Sequence, residues 1–137
     1  MSDCIFCDIV SGSGSASLVY ENDTVLAFLD IRPLSRGHTL IIPKAHAANL
    51  AELEPSDGAA MFAAGQLIAA AMRRSELEAD GVNLLVNDGR AAMQTVFHSH
   101  LHVVPRRNGD KIKFVAQLLT RRPHELDATA ALIRAAL

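Results

Sequence analysis

The chain has 137 residues, half of them hydrophobic, which is enough to bury the core of one domain and leaves no room for a second. Thirteen Lys plus Arg against fifteen Asp plus Glu give a formal charge of −2, with no basic tract or acidic tail to favour nucleic acid or a membrane surface as partner. Met1-Ser2-Asp3-Cys4 lacks a basic region leading into an apolar core, and no apolar run approaches the roughly 20 residues of a membrane span, so the expectation is a cytoplasmic chain.

Cys4-Ile5-Phe6-Cys7 is a poor disulfide framework, and in a reducing compartment such a pair points to metal binding or redox chemistry. Ile5, Phe6, Ile9 and Val10 fall at near-helical spacing before the flexible Ser11-Gly12-Ser13-Gly14-Ser15, which predicts a short opening helix. Residues 18–21 and 25–30 read as two strands joined at Asn22-Asp23, a hairpin. In the second, Leu26, Phe28 and Asp30 share a face; either a ring and a carboxylate line one pocket, or Phe28 is core and Asp30 a solvated turn residue. Arg32-Pro33-Leu34-Ser35-Arg36-Gly37 is a loop, and residues 38–43 form a third strand ended by Pro43, with His38, Leu40 and Ile42 on one face. His46, just beyond, reads by itself as an exposed loop residue.

Ser56 or Asp57 is placed to cap a long helix reaching about residue 77, whose Met61, Ala64, Ile68, Ala71 and Met72 make a core stripe rather than a cofactor site. Gly81 suits the turn that follows, and residues 82–87 alternate as a strand that leaves Asn87 beside Asp88-Gly89. The loop over residues 89–95 offers backbone amides, the Gln94 carboxamide and the Thr95 hydroxyl, groups suited to a phosphate, although one glycine does not identify a phosphate loop.

Residues 95–105 read as a strand stopped by Pro105, in which His98, His100 and His102 project to one face and Phe97, Ser99, Leu101 and Val103 to the other. Buried and unpaired, imidazoles stacked about 6.6 Å apart would cost a few kcal/mol each, so the stretch points to a metal chelate or to a catalytic set. Neutral imidazole attacks electrophiles such as phosphorus, and a tight cluster cannot be charged throughout. That suits phosphoryl or nucleotidyl transfer, with one ring attacking while its neighbours hold the nonbridging oxygens. Residues 106–110 form a polar turn, residues 111–119 fit helix or strand equally, and Pro123 opens a final helix with Leu126, Ala130, Ile133 and Leu137 on one stripe. The order of elements predicts an α+β domain with a mainly antiparallel sheet covered on one face.

His98-Ser99-His100-Leu101-His102-Val103-Val104 resembles the His-φ-His-φ-His-φ-φ signature of the histidine triad (HIT) family of nucleotide hydrolases and transferases. Phe28-Leu29-Asp30-Ile31, Gly37-His38-Thr39-Leu40-Ile41-Ile42-Pro43-Lys44, Asn87-Asp88-Gly89 and Gln94-Thr95-Val96 fit the family in order and spacing. The resemblance covers residues 4–107 and leaves 108–137 as a C-terminal extension of one domain over residues 1–137. It implies a HIT-like α+β fold with the long helix on one face of the sheet. It further implies a nucleotide-conjugate substrate, with His100 attacking the α-phosphorus to form a nucleotidyl-histidine that water hydrolyses. His102 and His38 would contact the phosphate beside His98. Asp30 would bind ribose hydroxyls, with Ile5, Phe6, Phe28, Ile31 and Leu40 around the base and Asn87, Gln94 and Thr95 at the phosphate end.

The resemblance also implies structural zinc on Cys4, Cys7, His46 and His98, against the alternative of reduced, metal-free thiols, with no organic cofactor and a homodimer. The expected substrates are nucleoside 5′-monophosphate phosphoramidates; a dinucleoside polyphosphate hydrolase and a nucleotide- or metal-binding module without turnover are the alternatives. Three departures stand out: Ser99 is polar where the signature is apolar, residues 12–17 lack the usual Ile-Pro, and Met93 replaces a glycine before Gln94. The last bears on the loop's shape, because glycine permits positive φ where methionine resists it.

Overall fold

The computed structural model describes residues 3–123 and 125–137. Strands β1 (Leu18–Glu21), β2 (Val25–Leu29), β3 (Thr39–Pro43), β4 (Gly81–Val86) and β5 (Leu101–Arg106) form one sheet in the order β1-β2-β3-β5-β4, antiparallel at every pairing. Helices α1 (Ile5–Ser11), α2 (Pro55–Arg74), α3 (Lys111–Thr120) and α4 (Leu126–Ala136) complete the α+β domain. No helix among the described residues is long and apolar enough to cross a membrane.

Strands β2 and β3, interior to the sheet, are buried along their whole length, and their alternation divides the sheet's two faces by function. Val25, Ala27, Leu29, Ile41, Leu101 and Val103 face α2 and α4 in the main core. The stripe read from the sequence, Met61, Ala64, Ile68, Ala71 and Met72, is the buried side of α2. Burial of each large side chain there contributes about 1.5–3 kcal/mol. Gly65 lets α2 lie close to the sheet, since a Cβ there would stand 2.9 Å from Leu84 Cδ2 and 3.1 Å from Leu101 Cδ2. Leu26, Phe28, Leu40 and Ile42 face the other way and pack with Phe6 of α1, so α1 partly covers the second face as well.

Several boundaries differ from the sequence reading. Helix α2 starts at Pro55 with Glu54 as N-cap and no side-chain cap, so Ser56 and Asp57 lie inside its first turn. It stops at Arg74 because Ser75 goes extended and its hydroxyl donates to Met72 O at 3.1 Å while accepting from Leu77 N at 3.1 Å. That local hydrogen bonding competes with the helix ladder. Gly81 begins β4 rather than forming the turn. Pro43 and Pro105 lie inside their strands; Pro105 pairs only with Val82 and its carbonyl accepts from Ser35 Oγ at 2.7 Å, on the side where β3 has not yet begun. A missing N–H on that side breaks no ladder bond. Residues 111–120 are helical, and α4 begins three residues beyond Pro123, burying Ala130 and Ile133 while Leu137 stays exposed.

Candidate active site

The histidine stretch is only half strand, because β5 begins at Leu101 and His98 and His100 precede it in irregular backbone. Ser99 N donates across to Ala47 O at 2.7 Å, outside the sheet ladder. His98 consequently turns toward α1, while His100 and His102 stay neighbours with ring centroids 4.9 Å apart. His38, immediately before β3, reaches the same place from the adjacent strand, its Nε2 2.9 Å from His102 Nδ1.

Backbone partners decide which nitrogen of each ring carries the proton. His100 Nδ1 lies 2.8 Å from His98 O, an acceptor only, so Nδ1 holds the hydrogen and Nε2 keeps a lone pair. His38 Nδ1 accepts the Leu34 N–H at 2.9 Å, so its proton sits on Nε2 and is donated to His102 Nδ1. His102 in turn carries its proton on Nε2, and that atom is buried without a partner among the described residues. Such an orphan is costly unless a ligand accepts from it. The site therefore presents one free imidazole lone pair and one unspent donor side by side.

Burial keeps these rings neutral. It holds His38 down to about 3, helped by His102 and the Arg121 guanidinium, and His102 down to about 4, helped by His100 and Arg121. His100 is lowered by burial too, opposed by its bond to the His98 carbonyl and by the Asp30 charge. Asp30 is raised by burial, against the pull of the Arg32 N–H, donated to Oδ1 at 2.8 Å, and of Arg121, whose Nη2 stands 3.8 Å from Oδ2. Asp30, His38 and His102 stand close enough to suggest a chelate. Their tautomers argue otherwise: with Nδ1 occupied by an amide hydrogen, His38 Nε2 holds a proton and has no lone pair for a metal.

Phe6, Phe28 and Leu40 are buried together, with Phe6 edge-on to Phe28 at 5.3 Å and to His100 at 5.3 Å. Ile5 and Ile31 are exposed at 60% and 69%, flanking rather than filling that apolar cluster. Asn87 stands half-buried just past β4, and Thr95 is exposed in a surface cleft with Cys4, Ile5, Cys7 and His46. Gln94 is buried and its carboxamide is committed to backbone. Nε2 donates to Ala48 O at 2.7 Å and Val96 O at 3.0 Å, and Oε1 accepts from Gly89 N at 2.8 Å. Its direct effect is to close the loop in front of the histidines. Met93 takes the left-handed conformation a glycine would take there, φ 72° and ψ 25°.

A second constellation lies on the far side of His98. Its Nε2 donates to Pro43 O at 2.8 Å, leaving Nδ1 as a free lone pair 3.3 Å from Cys4 Sγ, 3.5 Å from Cys7 Sγ and 3.2 Å from His46 Nδ1. Cys7 Sγ and His46 Nδ1 are 3.3 Å apart. Tetrahedral zinc with ordinary bond lengths separates two nitrogens by about 3.3 Å and a nitrogen from a sulfur by about 3.6 Å. The four donors fit that shape and would fill every position of it. Burial lowers His98 against the Pro43 bond, which favours the neutral ring a metal needs.

The family pattern described as HIT domain matches residues 12–109. The chain belongs to the HIT family. A curated relative, an uncharacterised HIT-like protein of Mycobacterium tuberculosis, is 48% identical over 134 residues, covering 98% of this chain and 92% of its own length. The adenylylsulfatase HINT3 of Arabidopsis thaliana is 42% identical over 95% of this chain and 65% of its length. Among solved structures, a zinc-bound histidine triad family protein from Mycobacterium smegmatis superposes with a TM-score of 0.90 at 53% identity, covering 98% of this chain and 92% of that one. The HIT match stops short of α3, where sequence reading found no motif. Yet Arg121, just past α3, donates through Nε and Nη2 to Arg32 O at 2.9 Å and 2.6 Å, beside Asp30. Its only trace in sequence is the pair Arg121-Arg122 after Gln117-Leu118-Leu119-Thr120, which carries no spacing signal.

Proposed function

We propose that this HIT protein hydrolyses nucleoside 5′-monophosphate conjugates through a nucleotidyl-histidine on His100, phosphoramidates being the favoured class. The observation that carries the reading is the pairing of His100's free Nε2 lone pair with the orphaned Nε2–H of His102. The lone pair forms a bond to the α-phosphorus as the bond to the leaving group breaks, its electrons departing with that group, whose nitrogen takes up a proton from solvent and leaves as the neutral amine. The His102 donor meets a nonbridging oxygen as charge develops, and His38 fixes that donor's orientation. Once Nε2 bonds phosphorus the His100 ring is cationic, and the His98 carbonyl and Asp30 stabilise that charge. Water then attacks phosphorus, releasing the nucleoside monophosphate and restoring the ring.

Phe6, Phe28 and Leu40 supply an apolar wall for a base beside Asp30, whose carboxylate suits ribose hydroxyls. The Arabidopsis relative's name, adenylylsulfatase, denotes cleavage of another nucleoside monophosphate conjugate. Zinc on Cys4, Cys7, His46 and His98 belongs to the same proposal; saturated by four protein ligands it would serve structure and anchor the backbone from which His100 projects. The working unit in this proposal is a homodimer.

Nothing comparable to the Phe6 cluster among the described residues marks a second nucleoside, so a phosphoramidate with a small amine should be cleaved at least as well as a dinucleoside polyphosphate of the same base. The test is kcat/KM for both classes, with quench trapping of nucleotide on His100. His100→Ala should abolish both activities and the adduct. A preference above about a hundredfold for the polyphosphate, about 2.7 kcal/mol, would replace the phosphoramidate assignment with the polyphosphate one. Turnover by His100→Ala would sink the mechanism.

A further inference from the structure

Helix α3 is attached to the domain in an unusual way. It buries no residue, leaves Ile112 and Leu119 85% and 86% exposed, and is separated from the segments around Glu76 and Arg107 by a cavity of about 760 Å³. Apolar packing therefore does little to hold it. Its attachments are polar: Gln117 Nε2 donates to Pro33 O at 3.0 Å, and Arg121 grips the neighbouring Arg32 carbonyl. Phe114 adds a ring beneath the Arg106 guanidinium at 3.8 Å.

The Pro33 carbonyl and the Leu34 N–H are opposite edges of one planar peptide group. Gln117 holds one edge, and the other edge donates into His38 Nδ1 at 2.9 Å. Fixing that plane fixes which His38 nitrogen accepts, hence that Nε2 carries the proton and donates to His102 Nδ1, and that His102 keeps its own hydrogen on the unpartnered Nε2. The Gln117 amide has one workable orientation, because Nε2 faces two carbonyls, Pro33 O and Arg122 O. A flipped amide would set its oxygen against both. Loop 30–37 has no strand ladder; Arg121 holds the Arg32 carbonyl on one side and the Ser35 hydroxyl and carbonyl bond Pro105 O and the His38 N–H on the other, while Gln117 and His38 are the partners that meet the Pro33–Leu34 peptide itself among the described residues.

We infer that Gln117, assisted by Arg121, is a positioning residue: from outside the matched HIT domain it sets the His38 tautomer and through it the donor that His102 offers the substrate. The catalytic half of this rests on the proposed function; the tautomer half does not. Polarisation along Gln117, the peptide, His38 and His102 strengthens each bond of the series.

The test uses the full chain carrying [15N]histidine, with His38 signals assigned by His38→Asn. Wild type should show His38 Nδ1 unprotonated and Nε2 protonated. Gln117→Leu removes the donor at similar size, and should move the Nδ1 signal toward the value averaged over two tautomers. It should also lower kcat about tenfold, the equivalent of about 1.4 kcal/mol, with KM changed less than about twofold. Gln117→Lys, which still offers N–H donors to Pro33 O, should restore both, and Leu119→Ser on the exposed side of α3 should alter neither. An unmoved Nδ1 signal in Gln117→Leu overturns the inference, as does a moved signal with undiminished kcat. If wild type turns over no nucleotide conjugate, the nitrogen signals still decide the clamp, and the failure belongs to the proposed function.

Discussion

At the scale of single residues, what matters in this site is the partner of each ring nitrogen. That His100 and His102 cluster, with His38 from a neighbouring strand, was legible in residue type and spacing; the shared face that spacing also gave His98 is not what the structure shows, because His98 turns to Cys4, Cys7 and His46. Which nitrogen carries a lone pair and which a proton was not legible, because the Leu34 amide and the His98 and Pro43 carbonyls arrive through tertiary structure. Met93 is a case where sequence posed the question and geometry answers it: methionine holds the left-handed conformation at the end of the short 3₁₀ turn Arg90–Ala92 and stays 79% exposed. That conformation costs an L residue about 1–2 kcal/mol, while glycine there loses more chain entropy on folding. The balance predicts that Met93→Gly raises stability by about 0.5–1 kcal/mol, read as a higher urea midpoint at unchanged m-value. A lower midpoint would mean that the methionine side chain contributes something its exposure does not reveal.

At the scale of elements, α1 joins packing on one side to a cluster of metal-ligand type on the other. A helix of seven residues is too short to persist alone. Phe6 anchors it on one side, and on the other Cys4 and Cys7 meet His46, from the loop after β3, and His98, from the stretch before β5. Sequence spacing made the pair of cysteines visible, and the family resemblance named the histidines. The irregular backbone that lets His98 turn away from His100 was not visible, because alternation read through residues 95–105 as if one strand ran the whole way. The Ser99 bond to Ala47 O is what departs from it. Zinc bound at this cluster would contribute its binding free energy to folding. Protein as purified should contain one zinc per chain, and Cys7→Ser should lose both metal and thermal stability. A chelator should lower the melting temperature of wild type toward that of the variant and leave the variant unchanged. Zinc-free protein whose stability ignores chelators would refute the site.

At the scale of the whole molecule, the sheet has two edges, and the chain treats them differently. The β1 edge carries α4, with Arg134 donating to Leu18 O and Ser17 Oγ to Asp127 Oδ1 at 2.5 Å, so much of it is occupied. The β4 edge pairs only with β5 and is left open by the described residues. Its sequence, Gly81-Val82-Asn83-Leu84-Leu85-Val86, has no charge and no proline, and Leu85 and Val86 are each 38% exposed. An open, apolar edge of this kind templates further pairing unless it is covered. Phe62 and Leu67, on the outer side of α2, are 54% and 42% exposed. A second copy related by a twofold axis would pair β4 with β4 antiparallel and bring the outer sides of two α2 helices together, closing the edge without making a filament. The prediction is a protein that sediments as two chains at micromolar concentration. Leu85→Lys places a charge on each partner at that edge and should convert it to one chain, while Leu119→Lys on the equally bare α3 should leave two. A monomeric wild type would refute the dimer. Dissociation by Leu119→Lys but not by Leu85→Lys would move the interface to α3, the element that carries the Gln117 clamp, so the assembly would then control the His38 tautomer directly.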